Sequence, residues 1–404
     1  MERKRNIRTP LPAGTKLTKD LVIERLLSEC GGSSLTYLAR KPGGEAAVIK
    51  ESFPLMSVYP IYRDGYRIVF KNRDEMLSIA EKFDEECRNS QILSTSGDSN
   101  SIYHPRSSNI TAEVNENPSF AGTDAQYILI GTVDGFTLSE ILEETEFSLR
   151  TSLIVINKIL TALKSVHSEP KRMLHLDLKC DNLFFPKEIK KWEETFAIIL
   201  DSGSAQRIGE ITEDTELSIS EGFSAREIQL YMKFSSEKIN DGEAAKRCLD
   251  FISEGTDLYS VGAIAFRMLM GRKFDNAEWE KINQQDSPKK RTRLISDAIR
   301  ERLEKDHPYS VDGVAVLLSK ALYYSAFGDE MKKNRYQNCD QFMSDVEEQI
   351  NVLDKSGKTH EIVLMRSVEM FGRLVEKMGL KNDGDPICDD DLFVRDWFPE
   401  VKED

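Results

Sequence analysis

The apolar pattern changes character about a third of the way along the chain, and this change constrains the fold most. Up to about residue 130 the apolar residues come in short runs bounded by turn signals, which is strand behaviour. "LVIERLLSE" and "SLTYLARK" flank a glycine-containing turn, "EAAVIKESF" follows the turn signal Pro42-Gly43-Gly44, and "AQYILIGTV" is a fourth run. One helix interrupts them, over 72–93, where Met76, Ile79, Ala80, Phe83 and Cys87 share a face. The polar stretch "STSGDSNSIYHPRSSN", 94–109, reads as a surface loop. After residue 137 the pattern is helical: "TLSEILEE", "LRTSLIVINKILTALKSVHS", "DLYSVGAIAFRMLMG", "RLISDAIRERLEK", "VDGVAVLLSKALYYS" and "CDQFMSDVEEQI". Strands first and helices after give an α+β chain in two lobes, not an alternating parallel sheet.

With 404 residues the chain is long enough for a bilobed core. Residues 1–16 read as an N-terminal arm. Its Arg3, Lys4, Arg5 and Arg8 read as solvated surface, as do Lys289, Lys290, Arg291 and Arg293. Residues 351–404 read as a C-terminal helical and acidic appendage. The net charge of −14 argues against nucleic acid as a partner. No run reaches the roughly 18–20 apolar residues of a membrane span, and no signal-peptide core follows the N-terminus. A cytoplasmic protein is expected. The six cysteines are scattered with no metal-ligand spacing and read as reduced thiols.

The segment "LHLDLKCDNLFF", 174–185, sets His175, Asp177, Lys179 and Asn182 between apolar flanks. Phosphoryl transfer needs a grip on the triphosphate, a divalent metal and a carboxylate that orients the attacking hydroxyl. Here Asp177 is a candidate base, Asn182 a hard-metal ligand and Lys179 a phosphate contact. About twenty residues on, the run "FAIIL" ends in Asp201-Ser202-Gly203, a carboxylate placed to suit Mg²⁺. Lys50 ends the run "AAVIK" and needs an anion; a phosphate or Glu86 would serve. Taken singly, Lys50 is a strand-end lysine, Asp201-Ser202-Gly203 a turn and His175 a packed core histidine.

In order and spacing these parts resemble the protein kinase superfamily, in its bacterial Ser/Thr branch, over roughly residues 17–350. "HLDLKCDN" resembles the catalytic loop, "DSG" the metal-binding D-F-G, and "AVIK" the strand lysine motif with Glu86 as helix partner. "LSECGGSSLTYLA" resembles the glycine-rich loop. "GFSAREI" resembles the segment ending in A-P-E, "DLYSVGAIAFRMLMG" the buried helix after it, and "NRYQNCDQF" the late arginine motif. The resemblance implies a β-rich N-lobe over about 17–130, a larger helical C-lobe over about 135–350, and ATP with Mg²⁺ (or Mn²⁺) as cofactors. It makes Asp177 the base and sets Lys179 on the γ-phosphate. Asn182 and Asp201 hold the metal, and Gly203 follows as the flexible residue. Lys50, held by Glu86, grips the α/β-phosphates. Gly31 and Gly32 let backbone approach the phosphates. Val48 and Phe184 sandwich adenine, and the linker "GTVD", with Gly131 and Val133, meets its edge. Glu227 pairs with Arg335, and His175 and Asp257 are structural. A protein substrate with a Ser or Thr acceptor is implied, and a cognate metal-dependent Ser/Thr phosphatase.

The chain departs from the pattern at several positions. Glu29 and Ser34 stand where the first and third loop glycines belong, which predicts a stiffer turn. Ser202 replaces the Phe of D-F-G and Ser90 a bulky apolar residue, so two apolar contacts are expected to be missing. Leu176 replaces the arginine that captures an activation-segment phosphate. Phosphorylation between Asp201 and Glu227, at Thr212, Thr215, Ser218, Ser220 or Ser224, is therefore not expected to be required. These departures keep two other readings open: a non-catalytic pseudokinase module, and a small-molecule kinase with the same core.

Overall fold

The structure, a computed structural model, describes residues 4–17, 21–29, 32–41, 43–65, 67–94, 105–110, 127–130, 135–145, 147–186, 192–213, 215, 217–236, 239, 241–271, 287, 290, 293–294, 297, 301, 312–323 and 333–355. The chain divides into two compact units. The first is residues 1–133 with Asp201–Gly203, and the second is 134–200 with 204–404.

The first unit is β-rich. Its elements are β1 (Lys4–Arg5), β2 (Lys16–Leu17), β3 (Leu21–Ser28), β4 (Ser34–Arg40), β5 (Ala46–Ser52), β6 (Met56–Ser57), β7 (Ile61–Asp64), β8 (Arg67–Phe70), α1 (Arg73–Ser94), β9 (Pro105–Ile110) and β10 (Tyr127–Ile130). Six of the strands form an antiparallel sheet in the order β2-β3-β4-β5-β10-β9. Strand alternation sends Leu35, Tyr37 and Ala39 of β4 and Ala47 and Ile49 of β5 into one core. Val48 and Lys50 therefore lie on the opposite face of β5. Inside that core Glu51 is fully buried, and its carboxylate accepts from Tyr37 Oη at 2.7 Å, Tyr127 Oη at 2.8 Å and Arg63 Nη2 at 2.5 Å.

Two expectations need correction here. Residues 105–109, assigned to a surface loop with the rest of 94–109, form with Ile110 the edge strand β9, because pairing with β10 satisfies backbone groups whatever the side chains are. Of the basic residues read as solvated surface, Lys4 and Arg5 are exposed but Arg8 donates to backbone carbonyls, and the arm itself is tied into the fold. Its β1 pairs with β6, Asn6 is buried, and Leu11 belongs to the core. Asn6 takes hydrogen bonds on Oδ1 from Ser57 Oγ (2.9 Å) and the Ile61 amide (3.0 Å), and its own Nδ2 donates to Pro54 O (3.0 Å).

The second unit is mainly helical. Its elements are β11 (Gly135–Thr137), α2 (Leu138–Glu144), α3 (Leu149–His167), β12 (Met173–Leu174), β13 (Leu183–Pro186), β14 (Ile198–Ile199), β15 (Gln206–Arg207), α4 (Arg226–Phe234), α5 (Gly242–Leu249), α6 (Glu254–Met270), α7 (Asp312–Ala321) and α8 (Cys339–Lys355). Helix α3 starts where Ser148 Oγ accepts from the Thr151 amide at 3.0 Å. The apolar helix α6 is buried along almost its whole length. Gly262 lets α7 come close, since a Cβ there would stand 2.7 Å from the Ala321 Cβ. The short sheet β11-β13-β14 and the pair β12-β15 frame the loop 175–182. Helices α4 and α5 lie in a stretch for which the sequence suggested none. Residues 351–355, assigned to the appendage, continue α8 and bury Leu353. The rest of the appendage lies outside the described residues.

Candidate active site

In the first unit, β5 delivers Lys50 and α1 delivers Glu86. The Lys50 ammonium is bound by the Glu86 carboxylate and, at 3.0 Å, by Asp201 Oδ1. Lys50 and Glu86 are nearly closed to solvent, while the Asp201 side chain is 42% exposed. Burial favours the neutral amine, but the Asp201 and Glu86 carboxylates outweigh it and raise the Lys50 pKa, so the group stays charged. Asp201 has a left-handed backbone, φ 60°, which aspartate tolerates better than most residues. A Cβ on Gly203 would sit 3.3 Å from Asp201 Oδ1 and 3.4 Å from Glu86 Oε2. Val48 is half-buried beside Lys50 on the same strand face. Gly32 accepts the Leu55 amide on its carbonyl at 2.8 Å. Gly31, Gly131 and Val133 lie outside the described residues.

The two missing apolar contacts are filled in an unforeseen way. Ser90 and Ser202 meet each other and share a hydroxyl–hydroxyl hydrogen bond, and Ser202 Oγ also reaches Glu86 O at 3.4 Å. Two departures that look independent in sequence are one contact in space.

In the second unit the loop after β12 is pinned from beneath. Asp257, fully buried near the start of α6, accepts the His175 amide on Oδ2 at 2.8 Å, the Leu176 amide on Oδ1 at 2.8 Å, and His167 Nε2 on Oδ2 at 2.9 Å. Leu176 is left-handed, φ 62°, a conformation that costs a non-glycine residue on the order of 1–3 kcal/mol and needs such external support. The buried His175 donates from Nε2 to Leu200 O at 3.0 Å.

On this support Asp177 gathers three polar side chains. Lys179 Nζ donates to its Oδ2 at 2.7 Å, and Asn182 Nδ2 donates to its backbone oxygen at 2.8 Å and to Oδ2 at 3.3 Å. Ser220 Oγ donates to its Oδ1 at 2.5 Å and accepts from Lys179 at 3.3 Å. Ser224 Oγ holds Ser220 by accepting its amide at 2.7 Å. Sequence reasoning treated Ser220 and Ser224 only as modification sites. Their place, seven and three residues before Glu227, was the available signal. Phe184 lies in β13 against Gly135, where a Cβ would come within 2.1 Å of the Phe185 carbonyl oxygen and 2.7 Å of the Phe184 ring. Glu227 and Arg335, both buried, pair at 2.6 Å, and Arg335 also donates to Gly255 O while Thr256 Oγ1 donates to Glu227.

Asn182 spends its amide nitrogen on Asp177, so the remaining acceptor of that amide is its carbonyl oxygen, a hard-metal donor. Asp201 offers an exposed carboxylate of the same kind. Among the described residues no group of three or more His, Cys, Asp or Glu could hold a metal. Asn182 and Asp201 are therefore each a single hard oxygen donor, of the kind that suits an ion such as Mg²⁺, which takes few protein oxygens.

A lysine clamped by two carboxylates on a β-rich unit, and an aspartate ringed by Lys, Asn and a hydroxyl on a helical one, define a chain of the kinase class. The family model described as "Protein kinase domain" matches residues 106–346, more than half of the sequence, and the chain belongs to that family. The match begins after the glycine turn, Lys50 and Glu86. Curated proteins of Mycoplasma genitalium and Mycoplasma pneumoniae, each named "Putative serine/threonine-protein kinase", are both 25% identical, over 271 and 264 residues. These alignments take in 65% and 64% of this chain, and the chain spans only 65% and 63% of the length of those relatives. The kinase domain of Mycobacterium tuberculosis PknI is similar with a TM-score of 0.49 and 14% identity, covering 84% of this chain and 100% of that domain. No helix among the described residues is long and apolar enough to cross a membrane.

Proposed function

We propose that the protein is an ATP-dependent Ser/Thr protein kinase that transfers the γ-phosphoryl group of ATP to a protein hydroxyl. The observation that carries this reading is the Asp177 carboxylate with a serine hydroxyl already donating to it at 2.5 Å and Lys179 beside both. A carboxylate that accepts a hydroxyl hydrogen bond is placed to orient an acceptor hydroxyl and take its proton. Lys179 would steady the transferring phosphoryl group. Lys50, kept charged by Glu86 and Asp201, would grip the α/β-phosphates. Val48 and Phe184 would flank adenine. Asn182 and Asp201 would each offer an oxygen to Mg²⁺ (or Mn²⁺), and the metal would neutralise charge on the phosphates. Glu227, Arg335 and Asp257 would act as scaffold. A protein substrate, a cognate metal-dependent Ser/Thr phosphatase and a cytoplasmic location belong to the same reading.

The Ser90–Ser202 contact favours a second reading, a non-catalytic module, because a polar pair stands where an active kinase carries apolar packing. Radiolabel transfer from ATP–Mg²⁺ to the protein itself and to a generic basic protein separates the two. Transfer that disappears in Asp177→Asn, a nearly isosteric change that removes the proton acceptor, supports the kinase. Absence of transfer from the unaltered chain, or full transfer by the variant, refutes it.

A further inference from the structure

Arg8 lies in the N-terminal arm, outside every motif of the sequence. Its guanidinium donates to three backbone carbonyls: Nη1 to Ser34 O and to Phe53 O, both at 3.1 Å, and Nη2 to Glu29 O. Glu29 and Ser34 bracket the glycine turn, and they are the two residues that stand in place of glycine there. Phe53 follows β5 and is itself tied to the turn, since its amide donates to Ser33 O at 3.1 Å. The arm reaches the same ground a second way. The Asn6 amide donates to Leu55 O at 2.7 Å, and the Leu55 amide donates to Gly32 O at 2.8 Å. Residues 6–8 thus hold both flanks of the turn and the segment that supports it, entirely within the first unit.

We infer that Arg8 is a positioning residue that braces the turn expected to hold the phosphates of ATP. This inference rests on the kinase reading above. A guanidinium presents several donors in a fixed planar fork, so one side chain sets the spacing of three carbonyls. Backbone N–H groups are what a glycine turn offers to phosphate, and carbonyls fixed at Glu29 and Ser34 anchor the two flanks from which such a turn is presented. Glycine-rich turns gain close approach at the expense of conformational entropy. This turn has fewer glycines, and Arg8 lowers what remains to be ordered on binding, which is preorganisation. Arg8 does not touch the nucleotide in this account; it acts through the backbone.

The test uses the full chain with Arg8→Ala, Arg8→Lys and, as a control on the same arm, Arg5→Ala, whose side chain is exposed. The first readout is amide hydrogen exchange across the turn without nucleotide. Exchange should quicken in Arg8→Ala and not in Arg5→Ala. The second is affinity for ATP–Mg²⁺, with KM and kcat measured separately. Arg8→Ala should raise Kd and KM for ATP by about tenfold with kcat little changed. Arg8→Lys, a point donor in place of a fork, should recover part of the loss. Unchanged exchange with unchanged affinity overturns the inference while leaving the kinase reading intact, and so does a fall in kcat with KM constant. If Arg8→Ala does not fold, Arg8→Lys carries both readouts, and wild-type values in it are equally fatal. Failure of the unaltered chain to bind nucleotide removes the kinase reading and this role together, whatever the exchange shows.

Discussion

Replacing Asp257 with Asn changes one atom at the centre of the second unit, and the structure allows its effect to be worked out. The carboxylate accepts three donors: the Leu176 amide on Oδ1, and the His175 amide and His167 Nε2 on Oδ2. An amide side chain keeps one acceptor oxygen and gains two N–H groups. If the oxygen stays on Leu176, the new NH₂ faces two donors; if it turns, the left-handed Leu176 loses its hold. Hydrogen bonds to a charged group are worth about 1.5–3 kcal/mol each. With two donors stranded in a fully buried site, the loss should be about 3–5 kcal/mol, the range for breaking a buried charged contact. A domain's whole stability is only about 5–15 kcal/mol, so the urea midpoint should fall steeply at constant slope. The effect should also depend on pH. Burial alone would raise the Asp257 pKa, but the hydrogen bond and field of His167, with His175 and its amide, reverse this and hold it below the usual carboxylate range. A carboxylate with a depressed folded-state pKa stabilises fully above its unfolded value, about 3.9, and loses that contribution as pH falls through the folded value. The gap between wild type and Asp257→Asn should be complete at pH 7 and shrink once the medium is more acidic than about pH 4. A gap below about 1 kcal/mol at neutral pH, or one that persists undiminished in acid, would show that these contacts do not hold the loop.

Lys50→Met should nearly abolish transfer from ATP while leaving any binding to a protein partner unchanged, because it removes the phosphate grip and strands the buried Glu86; turnover close to wild type contradicts the assigned grip. Ser90→Leu and Ser202→Phe should each destabilise, and the pair together should cost less than their sum by at least about 0.5 kcal/mol in a double-mutant cycle; simple additivity would mean that the two hydroxyls do not depend on each other. Replacing Thr212, Thr215 and Ser218 with Val or Ala should leave turnover within a few-fold, whereas Ser220→Ala should lower it, since only Ser220 touches Asp177. A loss of more than about tenfold in the first variant, ~1.4 kcal/mol in barrier, would refute the claim that this segment needs no phosphate.

The architecture was legible because periodicity carries it: the switch from strand to helical spacing falls where the two units divide, and α1, α3 and α6 sit where their apolar stripes placed them. Lys50 beside Glu86 and Glu227 beside Arg335 were legible from motif order. Residues 105–110 were not, because β9 is made by backbone pairing along an edge, and its polar side chains carry no strand pattern. The arm was misread for a related reason. Arg8 looks like surface charge until its carbonyl partners, 21–45 residues away, are known. Ser90 and Ser202 stand 112 residues apart, and a single sequence gives no sign that two departures compensate one another.

Leu176 belongs to one buried cluster with Leu174, Leu217, Ile228, Leu230 and Tyr231, so the residue before Asp177 and a residue of the 201–227 segment share one apolar core. A phosphate captured by an arginine would be loosened by salt and released by a phosphatase. An apolar contact is not screened by salt and offers a phosphatase nothing to remove. It is governed by water, and it weakens on cooling and under mild urea. The part of this segment's order that rests on the cluster should therefore survive charge screening and fade in the cold, which makes temperature a control on it separate from the polar contacts of Ser220.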